Sequence, residues 1–295
     1  MMKGPVTNPC VTRVAEELLQ SYVDDAPLVL RPGHDLPSLQ EVRAVLAELR
    51  ELLFPGITGG ARLAGASPLA VVEARIATVR VRLTEQLFRG LHHRCLVEAA
   101  DCAPCQGRAE QIADEFLLAL PALRKLLVSD VKAAFQGDPA ATGFDEIVFS
   151  YPGLQAIGVY RIAHRLHQLG ALVVPRMMSE QAHSDFGIDI HPAAEIGASF
   201  FIDHGTGIVI GETTVIGERV RIYQGVTLGA LSLPTDRVEE LRHRKRHPTI
   251  EDDVIIYANA TILGGETVIG RGAIVGGNAF VTESVAPRAA AKATR

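Results

Sequence analysis

The polar residues of this 295-residue chain that could do chemistry are few, and most lie in its C-terminal half. Asp189-Ile-His191-Pro192 is followed by Asp203-His204-Gly-Thr-Gly207. A histidine beside a carboxylate is a general base held in one tautomer. The acid accepts from one ring nitrogen and leaves the other free to take a proton. Asp189 comes near His204 if the chain coils with about eighteen residues per turn. The plainer alternative is a polar pair on a surface. Further on, Arg242-His-Arg-Lys-Arg246-His247-Pro248 is a run of bases. Beside a His–Asp pair it suits an anionic group, a carboxylate or a phosphate. On charge alone it reads as a solvated loop.

A second cluster lies upstream: His92, His93, Cys95, Cys102 and Cys105, with Cys102-Ala-Pro-Cys105 as a C-x-x-C. Three readings stay open. The ligand types suit a metal, but there is no second pair at zinc-ribbon spacing. A thioredoxin-like redox role lacks its βαβ setting. The third reading, the expected one, is a helix end with buried or idle thiols. It leaves Cys95, Cys102 and Cys105 as lesser metal candidates.

The element that must position the C-terminal residues is a repeat. From Ile188 to Val285 an apolar residue recurs every six positions: Ile190, Ile196, Ile202, Ile208; Ile210, Ile216, Ile222, Leu228; Ile250, Ile256, Ile262, Val268, Ile274, Phe280. Small residues such as Gly197, Gly217 and Gly270 fall between them. Six fits neither a helix nor a free-standing hairpin. It fits a solenoid of short strands and tight turns, with the branched residue pointing inward. The hexad is lost from Gly229 and resumes at Ile250, so 229–248 is expected to be a loop thrown off the coil.

Upstream the pattern is helical. Val11, Val14, Leu18 and Tyr22 share one face, and Asp24–Pro37 reads as loop. Ser38 and Glu41 make a capping box ahead of a stripe through Leu53, ended by Pro55-Gly56. Ile57–Gly65 reads as loop. Ser67-Pro68 opens a long helix, and others are expected near 109–120, 121–135, 152–169 and 174–183. The organisation is α+β. An α-helical domain spans 1–187, a solenoid spans 188–285, and a short tail spans 286–295.

Composition excludes other classes. Hydrophobic residues are 47% and charged residues 21%, with a net charge of -5. A nucleic-acid or anionic-membrane binder would need a dominant positive field. No apolar run reaches the roughly 20 residues of a membrane span. No n-region and apolar h-region open the chain, so no secretion signal is expected. Four cysteines without one point to a reducing, cytoplasmic setting.

Seven segments in fixed order resemble the serine O-acetyltransferase family of hexapeptide-repeat acyltransferases. They are Ser129-Asp-Val-Lys-Ala133, Gly137-Asp-Pro-Ala140, Tyr151-Pro-Gly through Arg161-Ile-Ala-His164, Asp189 through Gly197, Asp203 through Thr213, Gly225-Val-Thr-Leu-Gly229 and Arg246-His-Pro-Thr-Ile250. The resemblance covers about residues 125–285 and implies a left-handed parallel β-helix, a hand that the usual crossover rule would not favour.

The resemblance also implies roles. His204 is the base and Asp189 orients it. Asp138 and Asp203 hold the serine ammonium, and Arg246 and His247 its carboxylate. Gly229, Ala230, Ala258 and Gly276 contact acetyl-CoA, the backbone N–H of Ala230 lying near the thioester carbonyl. Family members often have glycine at the Ala230 position. Acetyl-CoA is a co-substrate and no metal is required. The assembly is a trimer, or a hexamer made of two trimers, with sites between neighbours. Feedback inhibition by cysteine is common in the family, and cysteine is isosteric with serine.

Two departures follow. The 231–245 segment is longer than the family's Gly-rich loop, and Val238–Leu241 suits a helical turn. The tail ends at Arg295, a poor anchor for O-acetylserine sulfhydrylase, so that complex is not expected. Three other functions compete. The first is a hexapeptide acyltransferase for another small acceptor, such as homoserine, a sugar or a dicarboxylate. The second is a γ-type carbonic anhydrase, which needs three histidines across coil edges. The third is a non-catalytic scaffold.

Overall fold

A computed structural model of the chain describes residues 8–24, 36–56, 67–97, 102–231 and 244–292. The expected loop at 57–65, the helical turn at 238–241 and the chain end at Arg295 lie outside the described residues. Helix α1 (Pro9–Asp24) stands in a unit of its own, Met1–Leu36, and none of its residues is buried.

The second unit, Pro37–Arg295, opens with helices. Ser38 caps α2 (Leu39–Leu53), its hydroxyl accepting from the Glu41 N–H, and Val42, Val45, Leu46 and Leu49 form the buried stripe. Helix α3 (Pro68–Val97) buries Val79, Leu83 and Leu87. The two helices expected at 109–120 and 121–135 are one, α4 (Cys105–Gly137), which runs through Pro121. A proline inside a helix costs about 3 kcal/mol. Phe116, Leu120, Leu123 and Leu127 keep the helical period across it and are all buried. At roughly 1.5–3 kcal/mol each, their burial outweighs the lost bond. A short helix that the periodicity did not indicate, α5 (Phe144–Ser150), precedes α6 (Pro152–Gln168) and α7 (Val173–Phe186).

The repeat then forms a parallel β-solenoid with three faces. The first face stacks β1 (Ile188–Ile190), β4 (Ile208–Ile210), β7 (Thr227–Gly229), β10 (Thr261–Leu263) and β13 (Phe280–Val281). The second stacks β2 (Glu195–Ile196), β5 (Val215–Ile216), β8 (Thr249–Ile250) and β11 (Val268–Ile269). The third stacks β3 (Phe201–Asp203), β6 (Arg221–Tyr223), β9 (Ile255–Ile256), β12 (Ile274–Val275) and β14 (Ala290–Ala291). Residues beyond Val285 therefore still add a rung. Ile190, Ile210, Leu228 and Ile262 sit in vertical register on the first face and are buried. Ser199, Arg219 and Asp253 have φ near 60° at the corner between the second and third faces, where each coil must reverse tightly.

Polar groups weld helices to coil. The Arg161 guanidinium donates to both oxygens of Asp130 at 2.7 and 2.9 Å, with both side chains buried. It also donates to the Ile196 and Gly197 carbonyls, while the Phe200 N–H donates to Asp130. Tyr160 donates its hydroxyl to the Ala194 carbonyl at 2.5 Å. The Ser129-Asp130 and Arg161 segments are thus the joint between the two architectures.

Candidate active site

His204 sits on the turn from the third face to the first, between β3 and β4. Its φ is 62°, followed by Gly205 at 96° and Gly207 at 84°. A non-glycine residue in the left-handed region is uncommon and often functional. The turn folds against the start of β1. Gly207 N–H donates to the Gly187 carbonyl at 2.7 Å, and a Cβ on Gly205 would lie 2.6 Å from Ile188 Cδ1. The imidazole projects outward, 72% exposed, with Nε2 3.8 Å from Asp203 Oδ1. Asp189 lies on β1 with its strand neighbours Ile188 and Ile190 buried. No hydrogen bond or ion pair joins it to His204, whose near carboxylate among the described residues is Asp203.

Two glycines bring Asp138 to the same corner. A Cβ on Gly137 would meet the Phe201 ring at 2.8 Å, so only glycine lets the end of α4 abut β3. A Cβ on Gly153 would lie 2.5 Å from the Ile202 carbonyl, which seats the start of α6 equally close. Asp138 then accepts from the Tyr151 hydroxyl at 2.6 Å and from the Ala140 N–H at 2.8 Å. These bonds, with smaller contributions from the Arg221 and His204 charges, hold its carboxyl below the usual range. Asp203 pairs with Arg221, which also lies over the Phe201 ring at 5.0 Å and the Tyr223 ring at 4.6 Å. Arg221 Nε and Gln224 Oε1 are buried with no hydrogen-bond partner among the described residues. Orphaned polar atoms in such a place point to a polar ligand. Ala258 and Gly276 lie at this corner on the coils above, where Asn278 donates to the Ala258 carbonyl and Gly276 to that of Ala291.

The remaining expected residues gather elsewhere. Gly229 and Ala230 leave β7 at the corner from the first face to the second, and Arg246 and His247 return there before β8. A Cβ on Gly211 would fall 2.1 Å from the His247 ring. His247 Nδ1 accepts from the Thr213 N–H at 3.1 Å, leaving Nε2 as the protonated nitrogen. Burial, aided by the Arg246 charge, pushes its pKa down to about 4, so the ring is a neutral donor at pH 7. Thr213 Oγ1 accepts from the Arg246 and His247 backbone N–H groups. Lys245 donates to the Thr213 and His247 carbonyls. The Arg246 guanidinium pairs with Glu212.

Sequence reasoning missed Arg221, Gln224 and Glu212, and took Lys245 only as one of a run of bases. The coil period would have found Arg221, which pairs in register above Phe201 and reaches diagonally to Asp203. Among the described residues, the group of three or more metal-capable side chains brought together is Cys95, Cys102 and Cys105. Among the described residues of one chain, no set of three histidines is brought together as a γ-type carbonic anhydrase requires.

The chain is 46% identical over 278 residues to a plasmid-encoded serine acetyltransferase of Synechococcus elongatus, covering 92% of this chain and 87% of the relative. The chain belongs to the serine acetyltransferase family. A Bacillus licheniformis serine acetyltransferase is 46% identical over 161 residues, which is 55% of this chain and 70% of the relative. Serine acetyltransferase isoform 3 of Entamoeba histolytica, solved in complex with cysteine, superposes with a TM-score of 0.72 at 33% identity, covering 96% of this chain and 91% of that one. The Neisseria gonorrhoeae serine acetyltransferase solved with serine gives 0.54 at 29% identity, covering 83% of this chain and 93% of that one. No family model matches the chain. The expected family and the helical domain followed by a β-solenoid are therefore borne out, and the protein is an acyltransferase.

Proposed function

We propose that the protein transfers the acetyl group of acetyl-CoA to the hydroxyl of L-serine, giving O-acetyl-L-serine and CoA, an opening step of cysteine synthesis. The observation that carries this reading is the convergence of Asp138, Asp203 and His204 on one corner by three separate close approaches. A serine hydroxyl is a poor nucleophile at neutral pH. His204 takes its proton as the oxygen attacks the acetyl carbon. The tetrahedral oxyanion is met by the Ala230 N–H, worth on the order of 2.7–4 kcal/mol for one such donor. The imidazolium then returns the proton to the departing CoA thiolate. Asp138 and Asp203 face the ammonium, Gln224 Oε1 offers a further acceptor, and Arg246 with the Nε2–H of His247 receives the carboxylate. Asp189, one strand from the turn, orients the base. The Ala258 and Gly276 backbones line the path of the pantetheine arm. The reaction as drawn needs no metal.

This set is divided. His204, Asp138, Asp203, Ala258 and Gly276 occupy one corner of the prism, and Ala230, Arg246 and His247 another, with the first face between them. We therefore infer that each complete site forms between two copies, in a trimer or a pair of trimers. Val209, Tyr257 and Phe280 along this face and its corner are exposed apolar side chains that such an assembly would cover. Among the described residues no helix is long and apolar enough to cross a membrane. The free thiols and the acetyl-CoA substrate support a cytoplasmic setting, and the reaction as drawn calls on no nucleic acid or membrane partner. Cysteine, isosteric with serine, would occupy the same ligands.

Thiol release from acetyl-CoA, measured with serine, threonine and homoserine as acceptors, tests the reading. Serine is expected to lead, and His204→Ala to lower turnover at least about a hundredfold in a folded protein. A different preferred acceptor, or near-normal turnover in that variant, overturns it.

A further inference from the structure

Three cysteines that the reaction does not use meet at the turn between α3 and α4. Cys95 lies in the last turn of α3, and Cys105 is the first residue of α4. The Cys105 N–H donates to the Cys102 carbonyl at 3.1 Å, a tight turn that swings both thiols of the Cys102-Ala-Pro-Cys105 segment to one side. The sulfurs of Cys95, Cys102 and Cys105 all lie within 4.8 Å of one another, and those of Cys95 and Cys105 are 3.2 Å apart. A tetrahedral zinc site with Zn–S bonds of about 2.3 Å has edges of about 3.8 Å, which is the scale of this triangle. A disulfide would use two of the sulfurs and strand the third.

We propose that Cys95, Cys102 and Cys105 form a site for a thiophilic divalent cation, zinc foremost, which staples the end of α3 to the start of α4. Binding replaces three thiol protons: one Zn²⁺ and three thiols give a zinc tris-thiolate of charge −1 and three H⁺. The fourth position falls to water. Cys105 is 4% exposed, and the cation would sit at the mouth of the helix pair rather than in the solenoid. The site is structural, remote in the fold from the His204 turn.

The test uses the full chain expressed with zinc and purified without chelator. About one zinc per chain is expected by elemental analysis. With the metal held, Cys10, the exposed member of the four cysteines, should react quickly with a thiol reagent, and the other three slowly. Cobalt(II) in place of zinc should give a thiolate-to-cobalt charge-transfer band. Cys95→Ser and Cys102→Ser should each lower metal content at least about tenfold at the same free zinc. Four quickly reacting thiols with less than about a tenth of a zinc per chain overturn the proposal. So does a Cys95–Cys105 disulfide in metal-free protein, or zinc that persists when all three cysteines are replaced. The metal and thiol measurements on the unaltered chain decide the matter even if a variant fails to fold.

Discussion

Arg221 Nη2 donates to Oδ2 of Asp203, one coil below, and so fixes the carboxylate beside the His204 turn. The guanidinium is itself clamped between the Phe201 and Tyr223 rings. Arg221 is a positioning residue. Arg221→Met should raise the apparent KM for serine about tenfold, the scale of one charge-assisted hydrogen bond, with the KM for acetyl-CoA unchanged. Arg221→Lys, which keeps the charge, should recover part of the loss. Steady-state kinetics in both substrates checks this; a change confined to acetyl-CoA would reassign the residue.

Gly211 is a test of the other corner. A Cβ there would collide with the His247 ring at 2.1 Å, so Gly211→Ala must displace the ring. Serine KM should rise about tenfold or more, as after loss of a donor to a carboxylate, while circular dichroism stays unchanged. Arg246→Ala should act on the same parameter.

A site shared by two copies makes a mixing prediction. Assayed at serine well below its KM, His204→Ala chains are expected to be nearly inactive and Arg246→Ala chains to keep about a tenth of the rate or less. Unfolded and refolded together in equal amounts, they should recover about a quarter of the sites, because a neighbour pair can contribute one intact residue each. No recovery in assembled oligomers would place both residues of a site in one chain.

The Arg161–Asp130 pair predicts stability rather than turnover. Asp130→Ala leaves a buried guanidinium uncompensated and should cost about 3–5 kcal/mol. Denaturant unfolding should show the loss.

Two histidines set an acid limit. Burial pushes both His191 and His247 from the ordinary 6.5 down to about 4. A depressed histidine favours the fold fully above its unfolded pKa and loses that contribution as pH falls through the window from 6.5 to 4. The melting temperature should therefore decline across that window, and His247→Gln should flatten the slope. An equal slope in that variant would remove His247 from the account.

The solenoid was legible because one physical rule, an inward branched residue per hexad, repeats along it. His204 was legible because it breaks that rule. The helix through Pro121 was not, since its stripe of Phe116, Leu120, Leu123 and Leu127 outweighs the local signal of a proline. Arg221 was missed because on its own strand it is an ordinary outward-facing base. Its meaning lies in Asp203, and that diagonal partner one coil below appears once the coil is counted. The division of the proposed site between two corners follows from topology and could not be read from motif order.

Strand pairing holds across the 229–248 segment. Val215 pairs with Thr249 and Arg221 with Ile255, as though the intervening chain were absent. Length there is decoupled from the geometry of the rungs. Natural variation could lengthen or shorten that excursion, and retune what enters beside Arg246, without moving the imidazole proposed as the base.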